Sequence, residues 1–111
     1  MTELITRTEL AGLIESGEVT VIDALPSAYY ERMHLPGAIN LVTADVVARA
    51  PELLPDRSAR VVTYCSGATC PNSQMVAARL QALGYTNVRK YRDGIQDWFE
   101  AGLPTETSVH V

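Results

Sequence analysis

A chain of 111 residues that is 47% hydrophobic and 20% charged has the composition of a soluble globular domain, not of a disordered, collagen-like or disulfide-stapled one. Surface scaling lets such a chain bury about two-thirds of its unfolded surface, enough for one core, so a single domain over residues 1–111 is expected. The net charge of −4 comes without any cluster of Lys and Arg, which argues against nucleic acid as a partner; no leader pattern and no run of ~18 uncharged apolar residues is present, so no membrane is expected and the cytoplasm is the expected location.

Thr6 and Glu9 stand at capping-box spacing and open a helix that should stop near Gly17. Residues 18–25 (Glu-Val-Thr-Val-Ile-Asp-Ala-Leu) form a β-branched run suited to a buried strand, and residues 27–32 a short helix. Thr43 is placed to cap a helix through Val46, Val47 and Ala50 that Pro51 would end. Residues 60–64 (Arg-Val-Val-Thr-Tyr) read as a second strand. Val76, Leu80 and Leu83, at i, i+4 and i+7 before Gly84, mark the clearest helix in the chain. Residues 88–91 are a third strand, Trp98 and Phe99 read as core, and residues 105–111, without a pattern, read as a loose tail. Strands alternating with helices over such short distances predict an α/β domain whose mostly parallel sheet is covered on both faces.

In a sheet of this kind reactive groups belong on loops at the carboxyl ends of strands. The strand ending at Tyr64 runs into Cys65-Ser66-Gly67-Ala68-Thr69-Cys70-Pro71-Asn72-Ser73 and then the strongest helix. Small residues and Gly67 let this backbone curl around one side chain, and free N–H groups of the loop and helix start can favour a Cys65 thiolate. Such positions lower a cysteine pKa from ~8.5 into the range of about 3.5–7.5. Local pattern alone leaves two readings open: Cys65 as a nucleophile, or as an unpaired cysteine filling the end of a buried strand. The Cys-x4-Cys spacing is neither a common zinc spacing nor a thioredoxin motif, and no metal is expected.

Tyr30-Glu31-Arg32-Met33-His34-Leu35-Pro36-Gly37-Ala38 resembles the Gly-His-Ile-Pro-Gly-Ala segment of the rhodanese (sulfurtransferase) family. Asp23-Ala24-Leu25 stands where that family has Asp-Val-Arg. Gly94-Ile95-Gln96-Asp97-Trp98-Phe99-Glu100-Ala101-Gly102-Leu103-Pro104 is similar to its closing Gly-Ile-x-x-Trp-x-x-x-Gly-Leu-Pro, and Cys65 falls at its catalytic cysteine. The resemblance implies a rhodanese-like fold and a reaction in which the Cys65 thiolate takes a sulfane sulfur from a donor, thiosulfate or a persulfide. The persulfide then passes to cyanide, another thiol or a protein acceptor. No cofactor is implied, because the intermediate is covalent and held by backbone N–H groups, here those of Ser66, Gly67, Ala68, Thr69, Cys70 and Asn72. Asp23 and His34 are read as orienting the loop rather than reacting. Gly37 and Gly94 are read as turn residues, Asn72 and Ser73 as helix caps, and Tyr29, Tyr30 and Arg92 as neighbours of a cleft mouth.

The chain departs from the family pattern in its loop, which carries no Lys or Arg and is two residues longer than the common form. Met33 and Leu25 replace the family's Gly and Arg. Without a cationic side chain, weaker use of dianionic thiosulfate than of a persulfide is expected, and a phosphatase, which needs an Arg to clamp phosphoryl oxygens, fits less well. Cys70 is either a small packing residue or a resolving thiol able to pair with Cys65 if the two Cα atoms lie about 4.4–6.8 Å apart. The rival to an enzyme is a non-catalytic rhodanese-like module in which the Cys65/Cys70 loop serves binding or redox sensing.

Overall fold

The computed structural model describes residues 2–107. In chain order the elements are β1 (Glu3–Leu4), α1 (Arg7–Ser16), β2 (Thr20–Asp23), α2 (Ser27–Arg32), β3 (Ile39–Asn40), a 3-10 turn (Thr43–Asp45), α3 (Val46–Leu53), β4 (Val61–Tyr64), α4 (Asn72–Ala82), β5 (Val88–Tyr91) and α5 (Gly94–Glu100). The five strands form one parallel sheet in the order β1-β5-β4-β2-β3, with Asp23 opposite Tyr64 and Tyr64 opposite Tyr91. This is an α/β fold built on a parallel sheet.

Strand side chains alternate between the two faces, as the pleat requires. Val21, Val62, Tyr64 and Tyr91 meet Leu10 of α1 and Ile95 and Trp98 of α5 on one side. Ile22, Val61 and Val88 meet Val46 and Ala50 of α3 and Val76, Ala77 and Leu80 of α4 on the other. The central strands are therefore apolar on both faces, which is why they read as continuous β-branched runs.

Several expectations are corrected. Thr43 begins the 3-10 turn and does not cap α3, whose flanking Asp45 makes no side-chain cap bond. Pro51 does not end α3, which runs on to Leu53. Its missing N–H deprives only the carbonyl of Val47, a residue 61% exposed and open to water, while Leu54 N–H still reaches Ala50 O at 2.7 Å and the Tyr85 hydroxyl lies 3.0 Å from the same carbonyl. At the start of α1, Thr6 accepts from Glu9 N–H at 3.2 Å, but the Glu9 carboxylate pairs with Arg89 at 2.6 Å, so only half of a capping box forms. Phe99 is 59% exposed and lies outside the core that Trp98 joins.

The stretch expected to be a loose tail is held at Glu106, whose backbone exchanges two hydrogen bonds with His34 (2.9 and 2.8 Å) and whose carboxylate accepts from Gly37 N–H at 2.8 Å. Residues 108–111, the rest of that stretch, lie outside the described residues. No helix among the described residues is long and apolar enough to cross a membrane.

From β2 the chain moves toward β3, and from β4 it moves the other way toward β5. The loops that leave these two adjacent strands diverge, and the crevice where they part is the place where open α/β sheets hold ligands.

Candidate functional site

Cys65 is the first residue after β4 and is 1% exposed. Ser66, Ala68 and Thr69 are exposed, Gly67 and Cys70 are half-buried, and the loop closes through Cys70 N–H donating to Gly67 O at 3.2 Å. The sulfurs of Cys65 and Cys70 are joined in a disulfide with a Cα–Cα distance of 6.2 Å. Cys70 packs against the core cluster that contains Cys65.

The β5–α5 turn supports the loop from below. Ile95 N–H donates to Cys65 O at 3.0 Å and Gln96 N–H to Ser66 O at 3.1 Å, so the first free donors of α5 occupy the loop's carbonyls. Gly94 sits where these two backbones touch. A Cβ there would lie 2.6 Å from Cys65 O and 2.7 Å from Gly67 N, and the φ of +71° is itself unfavourable for any other residue. Beyond its turn geometry, Gly94 is constrained by the loop backbone against which it lies, and local sequence carries no signal for that contact. The carbonyls of Cys65, Ser66 and Gly67 are engaged, while the loop's N–H groups from Ser66 to Thr69 have no protein acceptor among the described residues. They are available to an anion held by the loop.

Asp23, fully buried at the end of β2, accepts Leu25 N–H at 2.8 Å and the Tyr64 hydroxyl at 2.6 Å, and Tyr64 in turn accepts Leu35 N–H at 3.1 Å. Burial pushes the Asp23 carboxyl above its ordinary range, and the bonds from Tyr64 and Leu25 pull it back. Burial, and then the Asp23 charge, push the Tyr64 phenol far up, so Tyr64 acts as a fixed hydroxyl. Asp23 thus reaches the cysteine loop only through Tyr64, the residue before Cys65.

His34 is buried, stacks on the Tyr30 ring with centroids 4.0 Å apart, and places Nδ1 2.8 Å from Tyr30 O. Nδ1 facing a carbonyl must carry the hydrogen in this arrangement, an assignment made from the bonding partner. Its backbone bonds and its Nε2, 3.8 Å from the Glu106 carboxylate, hold the chain's last described segment against α2.

Asn72 and Ser73 do not cap α4. Asn72 is its first residue and donates from Nδ2 to Ala24 O at 3.3 Å, tying the two diverging loops together, and Ser73 is buried with its carbonyl accepting from Thr63 Oγ1 at 3.0 Å. Tyr30 spends its hydroxyl on Ala38 O at 2.6 Å, Tyr29 is exposed, and Arg92 lines a groove with Arg7, Asp93 and Asp97.

Beside the loop lies an open cleft of about 230 Å³ lined by Gly67, Ala68, Asp93, Gln96, Asp97 and Glu100. Three of these six are acids. Asp97 is held below the usual carboxylate range by the Tyr91 hydroxyl and by Arg7, 2.9 Å away. The sequence alone gives no sign of this acidic rim, because Asp93 and the α5 acids Asp97 and Glu100 come to the cysteine loop only on folding.

A family profile describing rhodanese-like domains matches residues 6–101. A protein of Mycobacterium tuberculosis named as an HTH-type transcriptional regulator is 38% identical over 109 residues, which are 98% of this chain and 47% of that protein, so the chain spans about half the length of this curated relative. A thiosulfate sulfurtransferase from Pseudomonas aeruginosa superposes with a TM-score of 0.79 at 27% identity, over 97% of this chain and 21% of that one. A rhodanese-like domain from Anabaena sp. superposes with a TM-score of 0.82 at 27% identity, over 96% of this chain and 80% of that one. A Bacillus halodurans protein reaches a TM-score of 0.87 at 23% identity, over 96% of this chain and 78% of that one, and shares the fold.

Proposed function

We propose, for a chain that belongs to the rhodanese-like domain family, that Cys65 in its reduced form is the nucleophile of a sulfurtransferase and carries a sulfane sulfur as a persulfide. The observation that carries this reading is the loop's division of labour. Its Cys65 and Ser66 carbonyls are occupied by α5, and its N–H groups from Ser66 to Thr69 have no protein acceptor among the described residues, which suits the backbone to hold a thiolate or persulfide anion at a buried sulfur. No general base is called for, since a preformed thiolate attacks sulfur directly.

The donor is set by charge. A dianion such as thiosulfate approaching the loop meets Asp93 and Glu100, with Asp97 already paired to Arg7, and finds no loop cation, so its encounter is disfavoured. A low-molecular-weight or protein persulfide suits the rim better, and the acceptor is a thiol or cyanide. Anaerobic incubation of the reduced protein with glutathione persulfide, and separately with thiosulfate, tests this. Cys65-dependent consumption of the persulfide, faster than that of thiosulfate and absent in Cys65→Ser, is the expected result; equal consumption by Cys65→Ser overturns it.

A second reading has the disulfide itself in its favour: a module that binds or senses through Cys65 and Cys70 without turnover. The relative named as a transcriptional regulator is compatible with that role. It becomes the better account if neither donor is consumed while the pair still cycles between dithiol and disulfide.

A further inference from the structure

We propose that Cys70 is a resolving thiol that converts sulfur taken up by Cys65 into hydrosulfide and leaves the Cys65–Cys70 disulfide present in the structure. The inference rests on the reading of Cys65 as a persulfide carrier and adds what becomes of the sulfur.

The geometry places the two sulfurs for this step. A Cα–Cα distance of 6.2 Å lies inside the range a disulfide spans without backbone movement. Cys70 is not on a free arm: its N–H is bonded back to Gly67 O, Pro71 follows at the start of α4, and its side chain packs on the same cluster as Cys65.

The chemistry balances without an outside oxidant. The Cys70 thiolate attacks Cys65 Sγ, the inner sulfur of the persulfide; the new Sγ–Sγ bond forms, the bond to the outer sulfur breaks, and that sulfur leaves as hydrosulfide. The two cysteines together lose the two electrons that the sulfane sulfur gains, and the proton of Cys70 ends on the hydrosulfide. Turnover then needs a dithiol reductant. Because Cys65 is 1% exposed and Cys70 half-buried, the reductant's thiolate meets Cys70 first, forms its mixed disulfide there, and releases Cys65 as the leaving thiolate inside the loop.

The test is an anaerobic reaction of reduced protein with one equivalent of glutathione persulfide, read by intact mass and by released hydrosulfide, for wild type, Cys70→Ser, Cys70→Ala and Cys65→Ser. Wild type is expected to release about one equivalent of hydrosulfide and to end about 2 Da lighter, as the disulfide. Both Cys70 variants are expected to hold an added mass of about 32 Da and release none promptly. Wild type that keeps the added sulfur as firmly as the Cys70 variants overturns the proposal and leaves the persulfide reading standing. No sulfur on any Cys70 variant overturns both, and hydrosulfide release from Cys65→Ser shows that Cys70 acts alone and overturns the resolving role.

Discussion

The loops that leave the adjacent strands β2 and β4 stand side by side at the carboxyl end of the sheet, and they are built in opposite ways. After β2, side chains saturate the backbone: the Asp23 carboxylate takes Leu25 N–H, and Asn40 Nδ2 donates to Asp23 O and Leu25 O at 3.1 and 2.7 Å. After β4, no loop side chain bonds the loop's own backbone; α5 takes two carbonyls, and the N–H groups of Ser66 to Thr69 have no protein acceptor among the described residues. The closed loop spends buried polar groups on holding the fold. The open loop keeps the N–H groups of Ser66 to Thr69 free of protein acceptors, in a stretch that is exposed or half-buried.

The largest test of this contrast is at Gly94, which supports the open loop. In Gly94→Ala the new Cβ meets loop backbone on both sides and the positive φ is disfavoured, so a loss of about 3 kcal/mol in urea unfolding is expected. Displacement of Cys65 and Ser66 should also cut the rate of sulfur uptake by at least ~10-fold. Uptake that survives while stability falls would mean that the loop's seat on α5 does not position Cys65.

Tyr64→Phe strikes the closed side. It strips a donor from Asp23 and an acceptor from Leu35 N–H, both buried, for an expected loss of about 2 kcal/mol near neutral pH with a smaller effect on uptake than Gly94→Ala. The loss should depend on pH with a definite sign. Asp23 has a folded pKa raised above its unfolded value, so its contribution to stability is fully present below the unfolded pKa of about 3.9 and fades as pH rises through the folded one. Removing the Tyr64 bond lifts Asp23 further, so the penalty should be smallest near pH ~4 and grow toward pH ~7 in urea melts. A penalty that shrinks as pH rises would show that Asp23 is not the group that Tyr64 serves.

The same contrast explains what was legible in the sequence. The central strands could be read because burial on both faces demands unbroken β-branched residues, and α4 because Val76 and Leu80 repeat at helical period on its buried side. β1 and β3, two residues each, are too short to show any period. Phe99 and Pro51 misled because residue type was read as placement: an aromatic beside Trp98 can face solvent, and a proline in a helix's last turns removes one bond whose acceptor water can serve. Glu9, Asn72 and Glu106 all have local readings that long-range partners override, namely Arg89, Ala24 O and His34. The cysteine loop stood out by composition, but its acidic rim and its seat on Gly94 depend on a turn almost thirty residues later, about which local chemistry says nothing.

The smallest expected effect is at the side-chain bond from Asn72 to Ala24 O between the two loops. Asn72 was expected to serve a bound substrate, yet its side-chain amide is spent on Ala24 O, so only its backbone N–H remains for the site. Asn72→Ala therefore removes a half-buried tie and no group that faces the sulfur. The expected cost is about 1 kcal/mol in urea unfolding, the usual net value of one such hydrogen bond, with sulfur uptake within roughly threefold of wild type. The backbone of the open loop is held from below by Ile95 and Gln96, and that support is intact in the variant. A tenfold loss of uptake without a matching loss of stability would mean that the closed loop steers the open one through Asn72, and that the two are one device rather than a scaffold beside a site.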